Sequence, residues 1–207
     1  QQYYRRKQGG SMVIVAGRGC PMRCTYCSVG EKSFLEHRKR SVESVVREIE
    51  HAADEGDIGF IDFEDENLSL NRGWFLKLLQ AIKRRYGDRL ELRAMNGLFP
   101  PSLDEEVIRT MKSAGFKTLN LSLGSSDAEQ LKRFNRPDVC AAFDRALEYA
   151  RREGLSAVGY VIVGAPDQDP LSSVDDLLHL ARRHALAGVS VFYPAPGSAD
   201  YERCREL

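Results

Sequence analysis

Apolar residues follow two patterns that alternate along nearly the whole chain. Short continuous apolar runs are typical of strands buried on both faces of a parallel sheet. Longer segments with an apolar residue every three or four positions are typical of amphipathic helices. The runs predict six strands, at 12–16, 60–63, 90–95, 119–123, 158–163 and 189–193. The helical spacing predicts helices at 42–54, 74–82, 102–115, around 131, at 140–152 and at 172–181.

Regular alternation of strands and helices predicts an α/β fold in which right-handed crossovers join parallel strands. A complete eight-unit barrel takes about 250 residues, and this chain has 207. We therefore expect a partial (β/α)6 TIM-like barrel, with six parallel strands and outer helices. Three helix starts have candidate caps, which are Ser41, a capping box formed by Ser102 and Glu105, and Ser172 or Ser173.

The chain begins at Gln1 and has a polar, linker-like segment at 1–11. The alternating pattern occupies the rest, so we predict one core domain at 12–207. The absence of an initiating methionine and the linker-like start lead us to expect that this domain is part of a longer protein.

Charge and composition exclude several partners. The chain has 30 basic and 30 acidic residues, so no overall field would attract nucleic acid or an acidic membrane. No segment approaches the roughly 20 apolar residues of a membrane span, and none has the pattern of a signal peptide. Odd, clustered cysteines are typical of a reducing compartment. We expect a soluble cytoplasmic protein that binds neither membrane nor nucleic acid.

Three of the five cysteines, Cys20, Cys24 and Cys27, lie within eight residues directly after the first predicted strand. They offer three thiolates and no local fourth ligand, whereas structural zinc sites and most iron–sulfur clusters take four. One iron of a cluster would stay open to another ligand, which is a catalytic arrangement. A disulfide with a spare thiol and a zinc site completed by a distant residue are the alternatives. Cys140 and Cys204 are interpreted as packed or exposed thiols.

Ligands of parallel α/β folds bind at the carboxyl ends of the strands. The other strands end in polar or small residues, which are Glu64-Asp65-Glu66, Asn96-Gly97, Ser122 with Gly124, Gly164-Ala165-Pro166 and 194–198. Each has a plainer interpretation. Acidic residues after a strand can be a solvated turn or a helix cap, Gly164 a turn, and Ser122 a small core residue.

Together, the cysteine loop and the strand ends resemble the radical S-adenosylmethionine (radical SAM) enzymes. Their hallmark is three cysteines with three and then two intervening residues, often with an aromatic before the last. The resemblance implies that Cys20, Cys24 and Cys27 hold a 4Fe–4S cluster. The open iron of that cluster would bind the amino and carboxylate groups of S-adenosylmethionine. Reductive cleavage would then give a 5′-deoxyadenosyl radical that starts chemistry on a small-molecule substrate.

The same resemblance implies roles for residues at the other strand ends. Glu64 and Asp65 occupy the place of the family's Gly-Gly-Glu motif, which contacts an amino group. This sequence departs from that motif, so any of Glu64, Asp65 and Glu66 is a candidate for that contact. Asn96, after the third strand, is assigned to the cofactor-binding rim. The remaining assignments are Ser122 and Gly124 at the ribose, Ile162 and Gly164 at the adenine, Arg136 at the methionine carboxylate, and Tyr26 as a packing wall.

A narrower likeness is to the branch whose members often carry an amino-terminal cobalamin-binding domain. This likeness is based on four segments of the sequence, at residues 17–21, 38–41, 63–68 and 192–198. Because no Asp-x-His-x-x-Gly signature occurs, any cobalamin would come through a domain outside this chain. The resemblance also implies an electron donor such as flavodoxin or ferredoxin. Methylation and rearrangement stay open as reactions, and the alternatives are a metal-binding module without turnover and an RNA-modifying radical SAM enzyme.

Overall fold

The structure, a computed structural model, describes residues 9–29 and 37–205. Most of the linker-like segment predicted at 1–11, namely 1–8, lies outside the described residues. The strands are β1 (Gly10–Ile14), β2 (Gly17–Arg18), β3 (Arg38–Lys39), β4 (Ile58–Phe63), β5 (Glu91–Arg93), β6 (Thr118–Gly124), β7 (Ser156–Val163) and β8 (Leu186–Val191). The helices are α1 (Val42–Glu55), α2 (Arg72–Tyr86), α3 (Glu105–Ala114), α4 (Ala128–Arg133), α5 (Cys140–Arg152), α6 (Pro170–Arg182) and α7 (Ala199–Arg205), with a 3-10 turn at Pro100–Ser102. No described helix is both long enough and apolar enough to cross a bilayer.

All six predicted strands are present, and all pair in parallel, which confirms the α/β class. They form two sheets of three, β1-β4-β5 and β6-β7-β8, instead of one uninterrupted sheet of six. β5 has only three residues, so the seam between β5 and β6 carries two isolated parallel bridges, Leu92 with Phe116 and Leu98 with Leu121. The sequence did not predict the antiparallel pair of β2 and β3, which brackets the cysteine loop.

Helices α1 to α6 occupy the predicted places, α7 was not predicted, and two of the predicted caps are wrong. α3 is capped by Asp104, whose Oδ1 accepts the amide of Val107 (2.9 Å), while the Ser102 hydroxyl donates to the Phe99 carbonyl (2.7 Å). α6 is capped by Asp169. In both cases an aspartate caps at least as well as serine, and Pro170 is favoured in the first position of a helix.

One hydrophobic core extends from Ile14 on β1 to Leu180 on α6. Among the outer helices, α1 packs on α2, α2 on α3 and α3 on α5, while α6 covers β7 and β8. Since the strands are parallel throughout, including the bridged seam, their carboxyl ends open onto one rim. The cysteine loop follows β1 at that rim.

Candidate functional site

A cavity of about 170 Å³ opens among the strand ends and contains all three clustered cysteines. Its walls come from the cysteine loop and from the segments after β4 and β5, with the end of β6 and the loop before α5 completing them. The lining residues are Cys20, Met22, Cys24, Tyr26, Cys27, Val29, Glu66, Asn67, Asn96, Gly97, Leu98, Phe99, Ser122 and Arg136. Residues separated by more than 100 positions therefore share one small space.

The three cysteines of this cavity are thiols that form no disulfide. Cys24 is buried, and Cys20 and Cys27 are half-buried. Within 9–29 and 37–205, no three His, Cys, Asp or Glu side chains are grouped so that they could hold a single metal ion. A 4Fe–4S cluster makes no such demand, because each cysteine binds a different iron. The donor set, three thiols around a largely apolar cavity, fits that cluster.

Contacts from distant parts of the chain fix the cysteine loop. Thr25 directly follows Cys24 in this loop. Its hydroxyl donates to Asp200 Oδ2 (2.8 Å), and its carbonyl accepts the Asp200 amide (2.9 Å). The Thr25 amide donates to the Phe134 carbonyl (2.9 Å), and the Asn135 side chain donates to the Arg23 carbonyl (2.8 Å). Sequence reasoning missed this clamp, because nothing local to Thr25 indicates that Asp200 lies beside it.

Arg136 is a buried cation facing the cavity. Its Nε donates to the Leu123 carbonyl (3.2 Å), and its Nη2 donates to the carbonyl (2.6 Å) and hydroxyl (3.1 Å) of Ser122. Its Nη1 lies 3.5 Å from the Tyr26 hydroxyl. Across the described parts of the chain, no carboxylate pairs with this guanidinium, and a buried charge without a counter-ion is costly. The cavity is therefore suited to a ligand carboxylate.

Gly124 supports Arg136 instead of lining the cavity. Its φ is +86°, a left-handed conformation that favours glycine, and a Cβ here would lie 3.2 Å from Cδ and Nε of Arg136. Gly97 has a comparable role on the opposite wall, where its φ is +96° and a Cβ would meet the Ser122 Cβ at 3.2 Å. The two glycines thus let Arg136 and the exposed Asn96 approach the same space.

Tyr26 is an aromatic wall of the cavity. Its ring packs edge to face on Phe134, with centroids 5.0 Å apart and an interplanar angle of 79°. Burial raises the pKa of the phenol far above its usual value, although nearby Arg136 opposes the shift. Tyr26 is therefore neutral at physiological pH, in keeping with a packing role.

The acidic run after β4 divides between two environments. Glu66 and Asn67 line the cavity, whereas Glu64 and Asp65 do not. Asp65 is buried; its Oδ2 accepts the Ala16 amide (2.9 Å), and burial raises its pKa to about 6. Glu66 Oε2 accepts the Gly19 amide at 3.1 Å.

Ile162 and Gly164, the candidate adenine site, lie at the end of β7 and are not among the residues lining the cavity. The Ile162 carbonyl accepts the Gln168 side-chain amide (3.0 Å), and Gly164 is exposed with φ +77°. Asn67 is a polar lining residue that the sequence argument missed; its place next to the acidic run was the one available signal.

Comparison with known proteins decides the family. The model of the Radical SAM superfamily matches residues 14–181. The chain belongs to the Radical SAM superfamily. This confirms the resemblance drawn from the cysteine spacing, and members of the superfamily are enzymes. Its cofactors, a 4Fe–4S cluster and S-adenosylmethionine, suit the thiols and the cavity described above.

Curated relatives are distant and longer than this radical SAM chain. The anaerobic magnesium-protoporphyrin IX monomethyl ester cyclase of Cereibacter sphaeroides is 27% identical over 194 residues, covering 91% of this chain and 31% of the relative. The ribosomal protein uS12 methylthiotransferase RimO of Gloeothece citriformis is 27% identical over 199 residues, covering 93% and 45%. The chain thus spans less than half the length of these two relatives.

Solved structures share the radical SAM fold. The methyltransferase TsrM from Kitasatospora setae, solved with cobalamin and a [4Fe-4S] cluster, superposes with a TM-score of 0.84 at 23% identity, covering 100% of this chain and 42% of that one. Coproporphyrinogen III oxidase (HemN) from Escherichia coli has a TM-score of 0.72 at 18% identity, covering 96% and 48%. At such identities the likeness concerns the fold alone.

Proposed function

We propose that the cavity binds S-adenosylmethionine beside a 4Fe–4S cluster held by Cys20, Cys24 and Cys27, and that this complex starts a radical reaction on a small-molecule substrate. The observation that carries the proposal is Arg136. A buried guanidinium without a described carboxylate partner lies in the same cavity as the three clustered thiols. When bound, the cluster and S-adenosylmethionine supply one-electron reductive cleavage of a carbon–sulfur bond.

The residues of this chain bind and orient the ligand. Arg136 is positioned to donate to the methionine carboxylate through Nη1, because its Nε and Nη2 already donate to Leu123 and Ser122. Glu66 is the carboxylate of the acidic run that lines the cavity, so it suits the amino group better than Glu64 or Asp65 does. Tyr26 forms an apolar wall and excludes water.

The remaining assignments extend the same proposal around the rim. Asn96 and Ser122 would face the ribose side, with Gly124 making room for Arg136 behind them. Ile162 and Gly164, at the end of β7, would receive the adenine if the ligand extends beyond the present cavity. The bridges at Leu92 and Leu98 support the joining of the two sheets into one six-stranded partial barrel.

We also propose that residues 12–207 are the core of a longer enzyme, in line with the greater length of the relatives. The structural neighbour TsrM is a methyltransferase solved with cobalamin bound, and the neighbour OxsB is a cobalamin-dependent radical enzyme. Methyl transfer, with cobalamin bound by a domain outside this chain, is therefore the reaction we favour over rearrangement. An electron donor such as flavodoxin or ferredoxin would supply the electron.

The test is anaerobic reconstitution with iron and sulfide, followed by reduction with S-adenosylmethionine present. The proposal predicts 5′-deoxyadenosine or methylated product from the wild type and background levels from Cys24→Ala. Equal turnover by Cys24→Ala would contradict it. A wild type that keeps iron but never cleaves S-adenosylmethionine would instead favour the binding-module alternative.

A second readout of the same test is binding without reduction. Arg136→Met should weaken affinity for S-adenosylmethionine roughly 10- to 100-fold, the range expected for a lost charge-assisted hydrogen bond. The control is Arg133→Gln, which removes an exposed cation from the end of α4. Unchanged affinity in Arg136→Met would remove this residue from the site.

A further inference from the structure

Asn67 makes a contact that the roles described so far do not use. Its side chain is buried at 7% exposure, lines the cavity and has its Nδ2 3.8 Å from Cys20 Sγ. Its Oδ1 is buried and has no hydrogen-bond partner among the described residues. A buried amide with half of its polar atoms unused is uncommon, and it invites a functional explanation.

The turn that carries Asn67 is fixed on both sides. Immediately before it, Glu66 Oε2 accepts the Gly19 amide (3.1 Å). Immediately after it, the Leu68 carbonyl accepts a hydrogen bond from Lys39 Nζ (3.1 Å). Because Gly19 directly precedes Cys20, these two hydrogen bonds fix the position of the Asn67 side-chain amide relative to the sulfur of Cys20.

We propose that Asn67 tunes the reduction potential of the cluster by donating an N–H···S hydrogen bond to the Cys20 thiolate. The inference rests on the proposed function, since it requires a cluster on Cys20. A metal-bound thiolate carries no hydrogen and can only accept, so the amide N–H is the group that suits it. Hydrogen bonds to cluster sulfurs are one of the factors that set cluster potentials.

The direction of the effect follows from charge. Reduction adds an electron to the cluster and makes its sulfurs stronger acceptors, so the hydrogen bond stabilises the reduced state more than the oxidised state. Apolar neighbours in the same cavity, Met22, Val29 and Leu98, lower the local dielectric and strengthen the bond. Asn67 therefore raises the potential and eases reduction by the electron donor.

The experiment is a redox titration of the anaerobically reconstituted protein without S-adenosylmethionine, followed by electron paramagnetic resonance of the reduced cluster. Asn67→Leu removes the donor and keeps an apolar side chain of similar size. It should favour the oxidised cluster about tenfold, which is a fall of about 59 mV in midpoint potential for a one-electron couple. Asn67→Ala should shift the potential in the same direction, and Asn67→Gln, which keeps an N–H donor on a longer arm, should recover part of the loss.

The control is Gln80→Leu, which makes a similar amide-to-leucine change at an exposed position of α2 that does not line the cavity. Its potential should equal that of the wild type. Potentials of Asn67→Leu and Asn67→Ala that equal the wild-type value would overturn the inference, as would loss of the cluster from both, which would make Asn67 a structural support. A wild type that assembles no 4Fe–4S cluster would overturn the proposed function itself, so the two failures can be distinguished.

Discussion

At the scale of single residues, Asp65 shows how an acidic side chain near a site can be structural. It accepts the Ala16 amide at the start of the segment leading to the cysteines, and only 5% of its surface is exposed. Burial is the main reason that its pKa rises to about 6, while the hydrogen bonds from Ala16 and Gly17 and the charge of Lys39 oppose the rise. The carboxylate next to it, Glu66, faces the cavity instead.

The raised pKa of Asp65 predicts a pH-dependent stability. At pH values well below 3.8 the carboxyl is protonated in both the folded and the unfolded state. As the pH rises toward 6 the unfolded state ionises first, so this residue lowers the free energy of unfolding, by about 3 kcal/mol once ionised in both states. Urea unfolding of the metal-free protein should therefore show that Asp65→Asn gains stability relative to wild type between pH 4 and pH 7.

The control for Asp65 is Asp175→Asn, since Asp175 is an exposed carboxylate on α6. Its unfolding curve should follow the wild-type curve at every pH, because exposed charges contribute little. If the free energy of unfolding of Asp65→Asn changed with pH in the same way as that of the wild type between pH 4 and pH 7, the burial argument would be wrong.

At the scale of elements, the cysteine loop is positioned by α7 and by the loop between α4 and α5. The bond from Thr25 to Asp200 is central, because Asp200 is buried at 2% exposure and is itself paired with Arg203 (3.1 Å). The amino terminus of a short helix near the end of the chain thus fixes the geometry of three thiols near its beginning.

Thr25→Val should loosen the cluster without removing a ligand. Valine keeps the shape of threonine but leaves the Asp200 carboxylate without one hydrogen bond, a loss of about 1 to 2 kcal/mol. We expect a reconstituted Thr25→Val protein to lose iron to a chelator roughly five- to thirtyfold faster than wild type. Thr25→Ser keeps the hydroxyl and should lose iron near the wild-type rate; equal rates in the two variants would argue against the clamp.

At the scale of the whole molecule, one side of the fold exposes apolar residues. β8 is an edge strand, and Leu186 and Val191 on it are 65% and 76% exposed. On the neighbouring α6, Leu171 is 71% exposed and Val174 51%. An exposed apolar edge strand is prone to pair with other chains.

The 207-residue chain in isolation should therefore self-associate as its concentration rises. Leu186→Lys combined with Val191→Lys should shift it toward monomer in sedimentation velocity, because charges on an edge strand oppose pairing. Gln80→Lys, on the exposed face of α2, adds a like charge elsewhere and should leave association unchanged. Association of the double variant equal to that of the wild type would show that another surface is responsible.

The order of the six parallel strands and of α1 to α6 could be predicted from the sequence, because burial on one or two faces leaves a period of apolar residues that does not depend on distant contacts. The sequence also indicated the candidate cluster ligands, since Cys20, Cys24 and Cys27 are close along the chain. The same locality explains the errors, because Ser102 and Ser172 satisfied a local rule that Asp104 and Asp169 satisfied as well.

Which side chains share the cavity depends on tertiary packing. Glu64, Asp65, Glu66 and Asn67 are consecutive, and the turn after β4 sends the first two away from the cysteines and the last two toward them. Arg136 reaches Tyr26 across 110 positions, and Thr25 reaches Asp200 across 175. Such pairings depend on how strands and loops meet at the rim, a long-range packing that periodicity and spacing do not encode.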